Sequence, residues 1–401
     1  MARELARGSG RVIRRTAGPD GETGSFSLTY MRATSVGDRR GLPVLIVPGG
    51  PGLASVVPYR SLRARAAALG LDVLMVEHRG VGLSRTDDLG RDLPMAAVTV
   101  DQAADDMAAV LDDASLERAV VYGSSYGSYL AQAFSVRHPT RVAAMVLDSP
   151  MLSVEQDLAV SRAYRRRLLW EGEDTASARL AAAVRAMAYR SVPMSELSQV
   201  VQLVHEFAGP DVLHRLLLAR AHGRLRRTWR RVSSLGLAEL EGSGRRYFIE
   251  PDLVAGIAFG QLGYGLPPDG GPLDPQLTFA DPATRQPRFS GEPFDLVAAL
   301  PRATWPVVVV SGEWDLRTPR PIAERIVDLA PDSLLVPLRR TGHSALDTHE
   351  SAALHIARAA ADGSTARLLD VAELDSLPRR GPSRLVGTAL TAVVHATTRR
   401  P

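Results

Sequence analysis

The sequence predicts an α/β protein in which a doubly wound, mostly parallel sheet is interrupted by an inserted helical layer. Two observations carry that prediction. Short continuous apolar runs at 43–47, 72–76, 120–122, 141–148 and 306–311 read as strands buried on both faces, and helix-like stretches separate the first four. From about Met151 the chain turns helical and arginine-rich, without strand-like runs, until the sheet resumes near residue 306. The expected organisation is a core from 1 to 150, a helical cap from 151 to 300, the second part of the core from 301 to 365, and a C-terminal extension from 366 to 401.

Composition removes several reaction classes. A chain of 401 residues with 45% hydrophobic content can bury a large core. It has no cysteine, so disulfides, thiolate metal sites and a cysteine nucleophile are excluded. All 48 Lys+Arg residues are arginine, which excludes Schiff-base lysine chemistry and a phosphate-loop lysine. The net charge of +4 is small for this length and the arginines are interspersed with acids, so no nucleic-acid partner is expected. The basic stretch from Met1 to Asp20 leads into no apolar h-region, and no run of about 18 apolar residues occurs. A cytoplasmic protein with no membrane association is the expectation.

Along the chain, Ser25 to Met31 alternates polar and apolar residues as an edge strand does. The strand at 43–47 ends in Pro48-Gly49-Gly50-Pro51-Gly52, whose backbone N–H groups can approach a ligand closely. Without a Gly-Lys-Ser/Thr ending this is no nucleotide cradle, and half of an oxyanion hole fits it better. A helix around Leu62 to Leu69 leads to the strand at 72–76, which stops at Glu77-His78-Arg79-Gly80-Val81-Gly82-Leu83-Ser84. His78, in a loop at a strand end, reads as a structural hydrogen-bonder. Asp101 to Leu111 places Ala104, Met107, Ala108 and Leu111 on one helical face and predicts that Asp105, Asp106 and Asp112 point outward. Helices are expected over 158–188 and 194–231, and an irregular connection over 262–294. After the strand at 306–311 come a helix at 322–329, a strand at 333–337 and a helix around 352–361. Leu385 to Val394 reads as a helix packing on the core or on a partner.

One stretch organises the rest. Val120-Val121-Tyr122-Gly123-Ser124-Ser125-Tyr126-Gly127-Ser128 is an apolar run that breaks at G-x-S-x-G and continues as a helix, the pattern of a nucleophile elbow. Ser125 is the predicted nucleophile, and the Tyr126 N–H lies where a substrate oxyanion would form. A serine hydroxyl needs a base and an acid that orients the base. His343, in Thr341-Gly342-His343, follows one late strand, and Asp315, in Gly312-Glu313-Trp314-Asp315, follows another, giving the order Ser, Asp, His. Glu313 is the rival acid, less well placed than Asp315, which is followed by Thr318-Pro319.

These five stretches, in order, resemble the α/β-hydrolase superfamily and, more narrowly, its proline iminopeptidase and tripeptidyl aminopeptidase branch. The resemblance covers residues 43–148 and 305–345. It implies Ser125 as nucleophile, His343 as base, Asp315 as its orienting acid, and an oxyanion hole from the backbone of Gly49, Gly50 and Tyr126. Pro48 stands where the family usually has histidine, and Glu77 where it usually has aspartate. In that branch cap carboxylates hold the substrate's free amino group, and Glu206, Glu250 and Asp252 are the candidates. The activity implied is an aminopeptidase acting on a short peptide through an acyl-enzyme. An esterase, lactonase or acyltransferase acting on a small metabolite is the alternative, and a non-catalytic ligand-binding protein the remote one. Neither a metal nor an organic cofactor is expected, and oligomeric state is left open. Between 162 and 246 arginine outnumbers acids about two to one, which suits carboxylate-bearing substrates and a solvated surface equally.

Overall fold

The computed structural model describes residues 10–18, 24–34, 41–240, 243–381 and 383–398. Eight strands form one sheet in the order β1-β2-β4-β3-β5-β6-β7-β8. They are β1 (Gly10–Thr16), β2 (Ser25–Ala33), β3 (Val44–Val47), β4 (Val73–Val76), β5 (Ala119–Ser124), β6 (Val142–Asp148), β7 (Val307–Gly312) and β8 (Ser333–Leu338). The pairs β1–β2 and β2–β4 are antiparallel, and every later pair is parallel. The strand β1 precedes every strand expected from the sequence, because its polar, arginine-rich run GRVIRRT lacks an apolar pattern and is held by register against β2.

The central strands show why continuous apolar runs meant burial on both sides. Leu45, Val121, Met145 and Val307 lie in one register row and join the core on one face. Their chain neighbours Val44, Val120, Val146 and Val308 point into the core on the other. Helices α1 (Arg60–Ala68), α2 (Val100–Asp113) and α3 (Tyr126–Arg137) cover these faces in the first half of the chain.

The expectation for α2 needs one correction. Asp105 and Asp112 pair with arginines near the surface, but Asp106 is only 1% exposed. Its two oxygens receive the fully buried guanidinium of Arg79, through Nε and Nη2 at 2.7 Å each, and Arg15 Nε at 2.8 Å. Helical periodicity placed Asp106 beside its neighbour Asp105 on a polar face. It could not foresee that an arginine from the β4 loop supplies the countercharge.

Between β6 and β7 the helices α4 (Val154–Arg166), α5 (Thr175–Ala188), α6 (Met194–Ala208), α7 (Pro210–Ala221) and α8 (Arg226–Ser233) build a cap with its own apolar cluster. That cluster includes Leu169, Val184, Leu197, Val201, Leu213 and Trp229. After β7 come α9 (Arg320–Leu329) and α10 (Glu350–Ala361), and the last described helix is α11 (Ser383–Thr398). The last described helix packs mainly on the cap and also touches the Ala345–Thr348 segment of the core. It lies on α6 and α7, with Leu390 and Val394, one turn apart, inside the cap cluster. No helix among the described residues is long and apolar enough to cross a membrane.

Candidate active site

Ser125 stands between β5 and α3 with φ +54° and ψ −122°, a conformation L-residues seldom adopt. The turn is tight enough to require both flanking glycines. A Cβ on Gly123 would lie 2.1 Å from the Gly127 carbonyl oxygen, and one on Gly127 would lie 2.1 Å from that of Val47. The Ser125 N–H donates to the Asp148 carbonyl at 2.9 Å, fixing the elbow to β6.

His343 Nε2 is 2.8 Å from Ser125 Oγ, and its Nδ1 is 3.0 and 3.1 Å from the two Asp315 oxygens. With Asp315 ionised, Nδ1 carries the proton and Nε2 accepts from the serine hydroxyl. Asp315 is itself well supplied with donors: the N–H groups of Arg317 and Thr318 at 2.9 and 3.0 Å, and the Thr318 hydroxyl at 3.0 Å. Burial alone would raise the Asp315 carboxyl, yet His343 and these donors hold it below the ordinary aspartate range. Burial pulls the His343 imidazole down, and the charge and hydrogen bond of Asp315 more than restore it, leaving it above the ordinary histidine value.

The loop carrying His343 is fastened from beneath by groups that the sequence did not single out. Asp148 accepts the N–H groups of Ala345 and Leu346 at 2.9 and 2.8 Å and the Tyr122 hydroxyl at 3.0 Å. Burial pushes its carboxyl up to about 6. The Ser344 N–H donates to Ser149 Oγ at 2.8 Å.

The Gly49–Gly50 backbone passes so close to Ser125 that a Cβ on Gly49 would stand 3.2 Å from Ser125 Cβ. Tyr126 is the first residue of α3, so its N–H has no acceptor within the helix. Glu77 holds this loop from behind, accepting the N–H groups of Ser55 at 2.5 Å and Val56 at 3.0 Å with one oxygen and that of Leu83 at 3.3 Å with the other. His78 donates from Nδ1 to the Arg79 carbonyl at 2.7 Å and accepts the Tyr126 hydroxyl at Nε2, 2.8 Å away. Burial lowers the His78 imidazole to about 4, which keeps that acceptor neutral. Tyr264 reaches over from the segment preceding β7 and donates its hydroxyl to the Gly50 carbonyl at 3.0 Å.

Of the three cap carboxylates, Glu206 pairs with Arg317, while Glu250 and Asp252 share Arg85 with Asp92. Glu206, on α6, is 3% exposed, receives Arg317 Nε at 3.0 Å and the Leu316 N–H at 3.3 Å, and so sits beside the Asp315 loop. Glu250 accepts Arg85 Nη1 at 3.1 Å together with the N–H groups of Tyr247 and Gly82 at 2.6 and 3.2 Å. Asp252 takes Arg85 through both of its oxygens, at 2.8 and 2.6 Å. Among the described residues no cluster of His, Asp and Glu has the form of a metal site.

The chain is similar to a proline iminopeptidase from Heyndrickxia coagulans, 30% identical over 122 residues, which are 29% of this chain and 39% of that protein. It is similar also to a putative proline iminopeptidase from Mycoplasma pneumoniae, 30% identical over 128 residues, 31% of this chain and 38% of that one. It thus spans well under half the length of the curated relatives it matches. Among solved structures it resembles a proline iminopeptidase from Mycobacterium smegmatis, with 18% identity and TM-score 0.48 over 92% of this chain and 99% of that one. A thermophilic esterase from Thermogutta terrifontis gives 16% identity and TM-score 0.43 over 91% and 100% of the two chains. Residues 43–350 match the family described as alpha/beta hydrolase fold, and the chain belongs to that family of hydrolases.

Proposed function

We propose that this hydrolase works by acyl transfer through Ser125, His343 and Asp315, and that it releases N-terminal residues from short peptides. The observation that carries the reading is the unbroken chain of hydrogen bonds from Asp315 through the imidazole to a serine held at positive φ. His343 Nε2 takes the hydroxyl proton as Ser125 Oγ bonds to the substrate carbonyl carbon. The N–H groups of Tyr126 and the Gly49–Gly50 loop receive the oxyanion, each such donor worth about 10²–10³ in rate. The imidazolium then returns the proton to the departing amine, the bond to the leaving group breaks, and an acyl-Ser125 remains. Water, deprotonated by the same imidazole, attacks this ester, and Ser125 leaves with the proton.

The aminopeptidase specificity is supported by the order of motifs and by the two curated relatives. A second reading, ester or lactone hydrolysis, is favoured by the pairing of Glu206, the cap carboxylate beside the Asp315 loop, with Arg317, which compensates its charge there. Hydrolysis of prolyl, alanyl and tripeptidyl arylamides, their N-acetyl forms and short aryl esters by wild type and Ser125→Ala separates the two. Arylamide cleavage requiring a free amine and Ser125 supports the aminopeptidase. Ester cleavage alone moves the function to the second reading, and turnover retained in Ser125→Ala refutes the acyl-enzyme itself.

A further inference from the structure

Arg317 contacts substrate in neither reading. It lies two residues past Asp315, and its main chain is fixed on both sides: its N–H donates to Asp315 Oδ1 at 2.9 Å, and its carbonyl accepts Ser161 Oγ of α4 at 2.9 Å. Its guanidinium meets Glu206 through Nε alone, at 3.0 Å. Nη1 and Nη2 have no hydrogen-bond partner among the described residues. The asymmetry of the pair is informative: the Glu206 side chain is 2% exposed, whereas that of Arg317 is 42% exposed. A salt bridge serving only to join cap and core has no need to leave the fork of the arginine open.

The open fork stands at the Asp315 loop, beside Glu206, whose other oxygen takes the Leu316 N–H. The Arg317 charge acts on His343, on the core side, and on Tyr264, whose hydroxyl rests on the Gly50 carbonyl of the oxyanion loop. The guanidinium thus lies within electrostatic reach of the base and of the residue bonded to the Gly50 carbonyl, and its free edge is open to solvent. The surrounding charges also set the kind of ligand. Asp315 is consumed by His343, Thr318 and backbone donors. Glu206 has a second cation nearby in the fully buried Arg165, whose Nη groups are held by Gln202 and Ser198. The Arg317 fork stays free beside the carboxylates of Glu206 and Asp315, which would repel a dianion such as a phosphate monoester. A monovalent carboxylate matches it in charge and in geometry.

We propose that Arg317 is a specificity-determining residue that binds a carboxylate of the substrate, so that the preferred substrates carry a free acid group within reach of the scissile carbonyl. The inference rests on the reading of Ser125 as the nucleophile. The carboxylate belongs either to the acyl part or to the leaving group, and two substrate pairs distinguish these. The 4-nitrophenyl monoester of glutaric acid against 4-nitrophenyl pentanoate tests the acyl side. Alanyl-glycine against alanyl-glycinamide tests the leaving side.

In one of the two pairs, wild type should prefer the acid by about 10- to 100-fold in kcat/KM, the range for a hydrogen bond to a charged group. Arg317→Gln should bring that ratio to about one, and Arg317→Lys should restore part of it, since it returns the charge without the fork. A merely structural role for Arg317 lowers acid and neutral substrates together and leaves the ratio unchanged. Calorimetric binding of glutarate and of glycine to Ser125→Ala, with and without Arg317→Gln, reads the same site independently of turnover. Ratios near one in both wild-type pairs, or a preference that survives Arg317→Gln, overturn the proposal, as does Ser125→Ala binding that is insensitive to Arg317. Failure of Ser125 to react with a fluorophosphonate, alongside Arg317-dependent carboxylate binding, overturns the acyl-enzyme reading and retains the anion site.

Discussion

Replacing Asp315 by asparagine should abolish most activity while leaving the fold in place, and the structure gives the reason atom by atom. The Oδ1 position is faced by two backbone donors, the Arg317 and Thr318 N–H groups at 2.9 and 3.0 Å. These fix the amide oxygen of an asparagine at that site and turn its NH₂ toward His343 Nδ1, where the Asp315 Oδ2 now lies at 3.0 Å. An NH₂ group there donates, so Nδ1 must accept and the ring proton moves to Nε2. That nitrogen, 2.8 Å from Ser125 Oγ, can then no longer take the hydroxyl proton. A base held in the wrong tautomer costs about 10⁴ in kcat in serine hydrolases, or about 5 kcal/mol of barrier. The assay is kcat on the best substrate of the arylamide and ester panel, with a thermal melt beside it to show that the variant is folded. A loss of less than about tenfold in a folded variant would refute the role of Asp315 as the group that sets the tautomer.

Other consequences are equally open to measurement. In the proposed mechanism the neutral imidazole is the base, and Asp315 holds the His343 value above the ordinary histidine range, so activity should rise with pH through a midpoint above 6.5; a midpoint below it, by NMR titration of His343 in Ser125→Ala, would contradict the balance drawn here. Asp106→Ala leaves the Arg79 guanidinium buried at 0% exposure without its carboxylate, and urea unfolding should register a loss of about 3–5 kcal/mol. Gly127→Ala introduces a Cβ 2.1 Å from the Val47 carbonyl oxygen, and should cost about 1–3 kcal/mol of stability together with displacement of the oxyanion loop, seen as a fall in kcat. Leu390→Ala, within the cap cluster, should destabilise the protein by about 2–5 kcal/mol although it lies in the last helix of the chain.

How much of this could be read in advance depended on whether the relevant forces were local. Val44–Val47 and Val307–Gly312 are strands because every residue in them is buried, and an unbroken apolar run records that directly. The elbow was legible because Gly123, Ser125 and Gly127 answer to a steric demand within five residues. The order of Ser125, Asp315 and His343 could be stated because parallel strands deliver their loops to one edge of the sheet. By contrast, Asp106 and Arg79, Asp148 and the His343 loop, and Arg317 and Glu206 are partners from distant segments. A single sequence carries no sign of such pairings. Arg317 had one local mark, its place two residues beyond the acid, but only its open fork gives that place a meaning.

The cap is joined to the core at both the Asp315 loop and the Gly49–Gly50 loop, which under the proposed mechanism bears on how substrates are chosen. At the Asp315 loop, His205 of α6 bonds to the Trp314 carbonyl at 3.1 Å, Glu206 accepts the Leu316 N–H and Arg317 Nε, and the Arg317 carbonyl accepts the Ser161 hydroxyl of α4. Leu316 itself lies in the apolar cluster of the cap. At the oxyanion loop, the Ala54 N–H donates to the Phe248 carbonyl at 3.0 Å, the Glu250 N–H to the Gly52 carbonyl at 2.9 Å, and Tyr264 to Gly50. Lifting the cap as a rigid lid would break both sets at once, at about 0.5–1.5 kcal/mol for each hydrogen bond, and would pull Leu316 out of its cluster. Because the cap segments also hold the Asp315 loop and the Gly49–Gly50 loop, a substitution that reshapes the pocket from the cap side also moves the groups proposed to perform the chemistry. Tyr264→Phe separates these effects, since it removes only the hydroxyl on Gly50 and leaves the ring in place. A fall in kcat with KM little changed marks that contact as part of the oxyanion loop's support, whereas a rise in KM alone would assign Tyr264 to substrate binding.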